Sequence, residues 1–210
     1  MTEIFHTIFE YAKNIAFLEL LGLIFGLLCV YFLIKESVLT FAFGIAYVII
    51  SFFVFWDIQL YGDFMLHIFF LVLNIYGWYY WVNGNESDDS PVEITVTAIK
   101  PSIALAVLTG IGVFAFGYFL ENINYFFEDI PASSLPYWDA TTSILSVTGM
   151  WLTAKKRLDN WYYWLIVDIL ATIIYTYKGI YFYAFLYLIY IAMAVIGYRT
   201  WKKSMNVQIA

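Results

Sequence analysis

One cysteine, two histidines, four prolines and a charged fraction of only 12% are the shortages that bound this 210-residue chain. Cys29 stands alone, so disulfides, thiolate zinc clusters and thiol redox pairs cannot form within one chain. There is no His-Glu-x-x-His, no paired intramembrane aspartate and no nucleophile elbow, so the constellations of a membrane enzyme are missing. The ten lysines and arginines form no basic patch interleaved with aromatics, which sets nucleic acid aside as a partner. The net charge of -6 says little about binding, because the acidic residues fall in polar breaks between apolar runs. No metal or cofactor site is expected. What the chain has in excess is apolar surface, 63% hydrophobic residues against the near-half of a soluble domain.

Seven apolar stretches approach the ~20 residues that cross a hydrocarbon core as helix. They cover 17–34, 38–56, 64–82, 101–120, 135–154, 161–177 and 180–198, and polar breaks separate them. Strands are excluded because the runs lack period-two alternation, and helices satisfy their own backbone hydrogen bonds in lipid. The opening MTEIFHTIFEYAKNIAF lacks a basic n-region and a small-residue cleavage site, so it is not read as a removable signal peptide. Ile4, Phe5, Ile8, Phe9 and Ala12 share one helical face, which suggests a helix lying at the membrane surface.

Lysine and arginine counts orient the spans. Lys35, Lys100, Lys155, Lys156, Arg157, Arg199, Lys202 and Lys203 fall on one side and only Lys13 and Lys178 on the other. The C-terminus is therefore expected in the cytoplasm and the N-terminus outside.

Spans one to three align without a gap on spans five to seven at an offset of 120 residues. Glu19 pairs with Asp139, Ile24 with Ile144, Lys35 with Lys155, Tyr61 with Tyr181, Gly77 with Gly197 and Trp81 with Trp201. With a single span as connector, both units enter the membrane from the same side. The expected fold is all-α and integral to the membrane, a 3+1+3 arrangement of parallel repeats. Its parts are a surface helix over 1–16, a first repeat over 17–82, a linker with the fourth span over 83–136, a second repeat over 137–203 and a cytoplasmic tail over 204–210. Such repeats mark transporters with a site near the membrane midplane.

Symmetric positions build scaffold, so polar groups present in one half only are the better guide to a ligand. Trp161, Trp164, Asp168, Thr172 and Tyr175 follow at +3, +4, +4 and +3, one stripe of a helix. Their repeat partners are Phe41, Gly44, Val48, Phe52 and Phe55, so an apolar stripe has become an aromatic one centred on a carboxylate. An ionised carboxylate in mid-membrane costs ~2.5 kcal/mol or more unless it faces protein or water. Asp168 is therefore either a structural partner of a lysine or tyrosine, or an acceptor for a cationic solute. Trp161 and Trp164 lie near a basic loop and also fit an interfacial belt. A second stripe joins His67, Asn74, Trp78 and Trp81. His67 and Asn74 suit helix bridging as well as ligand contact, and Trp78 suits the belt. Thr142, with Ser146 and Gly149, either permits close helix approach or lines a path.

The segments LPYWDATTSILS (135–146), KRLDNWYYWLIVDILATIIYTYKGIY (156–181) and DIQLYGDFMLHIFFLVLNIYGWYYW (57–81) resemble the bacterial nicotinamide riboside transporter family, the Pnu-type vitamin transporters. The resemblance covers all seven spans, with Gln-Leu-Tyr, Asn-Ile-Tyr-Gly-Trp-Tyr-x-Trp, Tyr-Trp-Asp and Asn-Trp-x-x-Trp in family order. It implies a full-length relative of the SWEET fold, often a homotrimer, in the bacterial inner membrane. It also implies facilitated diffusion of an unphosphorylated vitamin, trapped by a cytoplasmic kinase. Trp161, Trp164 and Asp168 match the family's recognition motif, but nicotinamide riboside members typically carry Asn at the position of Asp168 and Gln at those of Lys178 and His67. A carboxylate suits a cation that also presents an amino group, which favours thiamine, with nicotinamide riboside as the alternative. A non-transporting membrane scaffold is the rival of another class.

Overall fold

A computed structural model describes the backbone of residues 2–57, 61–84, 92–127 and 134–209, and the side chains of 17–54, 64–84, 92–127 and 134–208. The chain is all-helical: α1 Thr2–Ile34, α2 Leu39–Asp57, α3 Tyr61–Asn83, α4 Ile99–Glu121, the single turn α5 Ile123–Phe126, α6 Pro136–Ala154, α7 Asn160–Tyr177 and α8 Tyr181–Ile209. Among the described residues the one β feature is an isolated parallel bridge between Thr95 and Arg157. Pro136 occupies the start of α6, where its missing N–H leaves no helical bond unmade.

Among the described residues four helices are long and apolar enough to cross a membrane, through Phe17–Ile34, Phe64–Asn83, Ile99–Glu121 and Tyr181–Gln208, and Leu39–Val54 is a shorter apolar helix. α6 and α7, of 19 and 18 residues, fall outside that class because hydroxyls crowd α6 and tyrosine and tryptophan crowd α7. Two sequence boundaries shift. Residues 2–16 continue into the first span as one 33-residue helix, about 50 Å long at ~1.5 Å per residue, so no break separates a surface helix from it. The apolar face expected at Ile4 to Ala12 lies outside the described side chains. Residues 204–209, expected as a tail, extend α8.

The chain divides into two compact units, residues 1–91 and 92–210, the second of which holds α4 together with α6 to α8. In unit 1, α2 packs on both α1 and α3. Phe32 stacks on Phe43 with ring centroids 5.1 Å apart, and Trp81 meets Phe41 edge-on at 5.0 Å. The Asn74 carboxamide of α3 presses against Gly44 of α2, filling the space a side chain would take. In unit 2, α6 packs on α4 and α7, and α8 on α7. Small residues permit it: the Thr109 and Thr148 hydroxyls share a buried hydrogen bond of 3.0 Å, and the Tyr137 ring lies over Gly117. Trp161 of α7 lies on Gly197 of α8 and meets Trp201 edge-on at 5.6 Å.

Helices α1 and α6 end in the same way. After each, one residue turns into the left-handed region, Glu36 at φ 57° and Lys156 at φ 53°. Glu36 N donates to Leu33 O at 3.0 Å and Ser37 N to Phe32 O at 3.0 Å; Lys156 N donates to Thr153 O and Arg157 N to Leu152 O, each at 2.9 Å. This is the Schellman closure, usually made with glycine at the left-handed position. The next bonds, Thr40 N to Ser37 O and Asn160 N to Arg157 O, also correspond, so both turns match bond for bond at an offset of 120 residues.

Unit 2 adds a strap of extended chain, residues 92–98, laid over its turn. Leu158 N donates to Thr95 O at 2.9 Å and Thr95 N to Lys156 O at 3.3 Å. Arg157 Nη1 donates to Thr95 Oγ1 at 2.6 Å, and the buried Lys156 Nζ donates to Val92 O at 2.7 Å. Thr97 N reaches both carboxylate oxygens of Asp159, at 3.0 and 3.3 Å, and Ile94 N reaches Gln208 Oε1 at 3.2 Å. Within the strap, Val92 and Ile94 are buried.

Candidate functional site

Helix α7 carries the stripe, and its five members meet different surroundings. Trp161 at its start is only 2% exposed, enclosed by Gly197 and Trp201 of α8. Among the described residues its buried indole Nε1 has no hydrogen-bond partner, and its ring packs on α8. One turn on, Trp164 points to α6, where its Nε1 donates to Thr153 Oγ1 at 3.1 Å and its ring lies beside Gly149. The Thr153 hydroxyl in turn donates to Gly149 O at 2.9 Å, so the indole is fixed at two points of one helical turn.

Asp168 follows one turn later and is 7% exposed. Among the described residues its carboxylate has no hydrogen bond or ion pair, which leaves a charge-bearing group in the protein interior with its acceptor positions open. Thr172 does not serve it, because that hydroxyl donates to the backbone carbonyl of Asp168 at 2.7 Å. Tyr175 ends the stripe, stacked between Tyr183 and Tyr187 of α8 with centroids at 5.3 and 5.4 Å. Thr142 on α6 gives its hydroxyl to the Trp138 and Asp139 carbonyls of its own helix, both at 3.1 Å, and Ser146 donates to Thr142 O at 2.7 Å.

In unit 1 the α3 stripe divides. His67 is buried 5.7 Å from the Tyr47 ring and 5.3 Å from Phe70, centroid to centroid. Asn74 Nδ2 donates to Phe70 O at 2.8 Å, and among the described residues its buried Oδ1 has no hydrogen-bond partner. Trp81 continues this inner face, whereas Trp78, 40% exposed, faces away from it. Among the described residues no three His, Cys, Asp or Glu side chains gather where one metal ion could bind them.

Two contributors escaped the sequence reading. Thr153, which anchors Trp164, stands at the repeat position of Leu33, and Tyr187, which stacks on Tyr175, stands at that of His67. The comparison of halves that singled out α7 would have found both had it been carried through α6 and α8.

The sequence matches the family described as nicotinamide mononucleotide transporter over residues 16–203. The nicotinamide riboside transporter PnuC of Escherichia coli (strain K12) is 24% identical over 208 residues, covering 91% of this chain and 87% of that protein. The riboflavin/roseoflavin transporter RibM of Streptomyces davaonensis is 26% identical over 133 residues, covering 62% of this chain and 59% of its own length. Among solved structures, the crystal structure of the vitamin B3 transporter PnuC superposes with a TM-score of 0.70 at 20% identity, over 97% of this chain and 88% of that one. That likeness establishes a shared fold.

Proposed function

The chain belongs to the nicotinamide mononucleotide transporter family, and we propose that it carries a cationic, ring-bearing vitamin of the nicotinamide riboside kind across the membrane. The observation that carries this reading is Asp168, a buried carboxylate with no partner among the described residues, one helical turn from an indole pinned to α6. A carboxylate in that setting favours a ligand that brings positive charge, and a fixed indole offers it a flat face. The same carboxylate repels a phosphate dianion, which favours the nucleoside over its nucleotide, and it finds no charge to balance on riboflavin. Thiamine, favoured by charge and amino group alone, gives way to nicotinamide riboside, because the relatives' names carry nicotinamide riboside and riboflavin.

Asp168, Trp164 and Thr172 form the proposed substrate face, and Trp161 is assigned to packing. Seven spans, α1 to α4 and α6 to α8, in a 3+1+3 arrangement of parallel repeats are part of the proposal. The matched closures at Glu36 and Lys156 support it, as do the starts of α3 and α8 at Tyr61 and Tyr181, again 120 residues apart. The C-terminus then faces the cytoplasm, movement is facilitated diffusion, and a cytoplasmic kinase retains the product. A homotrimer belongs to the same reading.

Calorimetry of purified wild type against nicotinamide riboside, thiamine and riboflavin tests the substrate, with tightest binding expected for nicotinamide riboside. Tighter binding of thiamine would overturn that choice. Flux into proteoliposomes with no imposed ion gradient separates a facilitator from a scaffold, which gives no flux, and from a coupled carrier, which needs the gradient.

A further inference from the structure

Unit 2 holds a cleft of about 390 Å³ between the start of α4, the start of α7 and Leu152 of α6, within the ~300–1,000 Å³ of small-molecule sites. It is separate from Asp168: Asp159 at its edge precedes Asp168 by nine residues, about 13 Å along a helix. We propose that this cleft takes the ammonium group of a membrane phospholipid that carries a primary amine, whose acyl chains lie along the exposed apolar faces of α4 and α7.

The charge of the lining sets the sign. Among the described lining residues Asp159 brings the one carboxyl group and there is no lysine or arginine, so the cleft selects against an anion. The Asp159 carboxylate accepts from Thr97 N, but a carboxylate offers about four lone-pair positions, so capacity remains for further N–H donors. Beside it runs Thr97, whose backbone N–H is the one that Asp159 accepts from. Tyr162 and Tyr163 border the same space, and the faces of their rings attract a cation.

The apolar walls set the source of the amine. Leu105, Ala106 and Leu152 line the cleft. On α4, Ile103, Val107, Ile111 and Phe114 form an exposed stripe at helical spacing, and on α7 Tyr162, Ile166, Ile169 and Ile173 form another. A hydrophilic amine has no use for those stripes, whereas a lipid with its headgroup at Asp159 has its chains beside them. A primary ammonium carries N–H donors for Asp159. A trimethylated choline headgroup has the same charge and no such donor.

The test is lipid retention by the purified full-length protein, followed by native mass spectrometry with phosphatidylethanolamine, phosphatidylcholine and phosphatidylglycerol of matched chains. Phosphatidylethanolamine is expected to bind about tenfold tighter than the other two, the share of one charge-assisted hydrogen bond. Asp159→Asn, which keeps an acceptor for Thr97 N, is expected to erase that preference. Ala106→Phe, which fills the cleft from α4 and leaves the Asp159 carboxylate in place, is expected to do the same and stands in should the first variant fail to fold. Equal binding of the three lipids by wild type overturns the proposal, as does a preference that survives the filled cleft. Displacement of phosphatidylethanolamine by millimolar free ethanolamine would make the ligand a soluble amine and overturn the lipid assignment.

Discussion

The turn after α1 and the turn after α6 share one backbone and carry different chemistry. Each leaves its helix through a left-handed, non-glycine residue with the same pair of closing hydrogen bonds. In unit 1 that residue is Glu36; in unit 2 it is Lys156, buried under the strap with its ammonium on Val92 O. The helices beyond the turns differ by exchange. Where α2 has Gly44, filled by Asn74 of α3, α7 has Trp164, and α8 has the buried Ala194 at the position of Asn74. Where α2 has the buried Val48, α7 has Asp168. The backbone is thus reused while volume and polarity are redistributed, and the redistribution gives unit 2 its carboxylate.

The largest expected effect comes from forcing the exchange on unit 1. Gly44→Trp alone meets the Asn74 carboxamide and should cost about 3 kcal/mol or more, as severe overpacking does. Adding Asn74→Ala should return a large part, with a coupling of roughly 1–3 kcal/mol in denaturant titrations of the detergent-solubilised protein. Independent, additive effects would mean the two positions do not compensate.

Next comes Asp168→Val, which gives α7 the residue of α2. Loss of a charge-assisted contact should weaken nicotinamide riboside binding by about one to two decades, while removal of a buried charge leaves thermal stability unchanged or raised. A fall in melting temperature with binding intact would make Asp168 a structural residue.

Lys156→Gly and Glu36→Gly form the finest test, because one substitution should have opposite signs in the two turns. At Lys156 the relief of left-handed strain is outweighed by loss of the ammonium's bond to Val92 O, a net cost of roughly 1–2 kcal/mol. At Glu36, with no strap bonded over the turn among the described residues, glycine should gain about 0.5–1 kcal/mol. Equal signs in unfolding experiments would remove the distinction between the turns.

Apolar run length made the helices legible in the sequence, and the offset of 120 residues foretold the matched turns at Glu36 and Lys156. Other features were hidden for identifiable reasons. The continuity of α1 through residue 16 was obscured because a surface helix and a helix extending beyond the membrane have the same local pattern. Trp161 and Trp164 sit on one stripe by spacing, yet Gly197 of α8 claims the first and Thr153 of α6 the second, and periodicity within one helix cannot show which neighbour a side chain meets. The strap was invisible because most of its hydrogen bonds are to backbone, which any residue but proline supplies.

That strap also imposes an order in time. Val92 and Lys156 are 64 residues apart, and Ile94 and Gln208 are 114 apart. At ~5–20 residues per second of synthesis, the strap waits about 3 to 13 seconds for its turn to be made, and Ile94 waits longer still. The first extended residues of unit 2 are therefore among the last to find their partners. A chain cut short of Gln208 leaves the amide of Ile94 without its acceptor, so the strap registers whether synthesis has reached the last turns of α8.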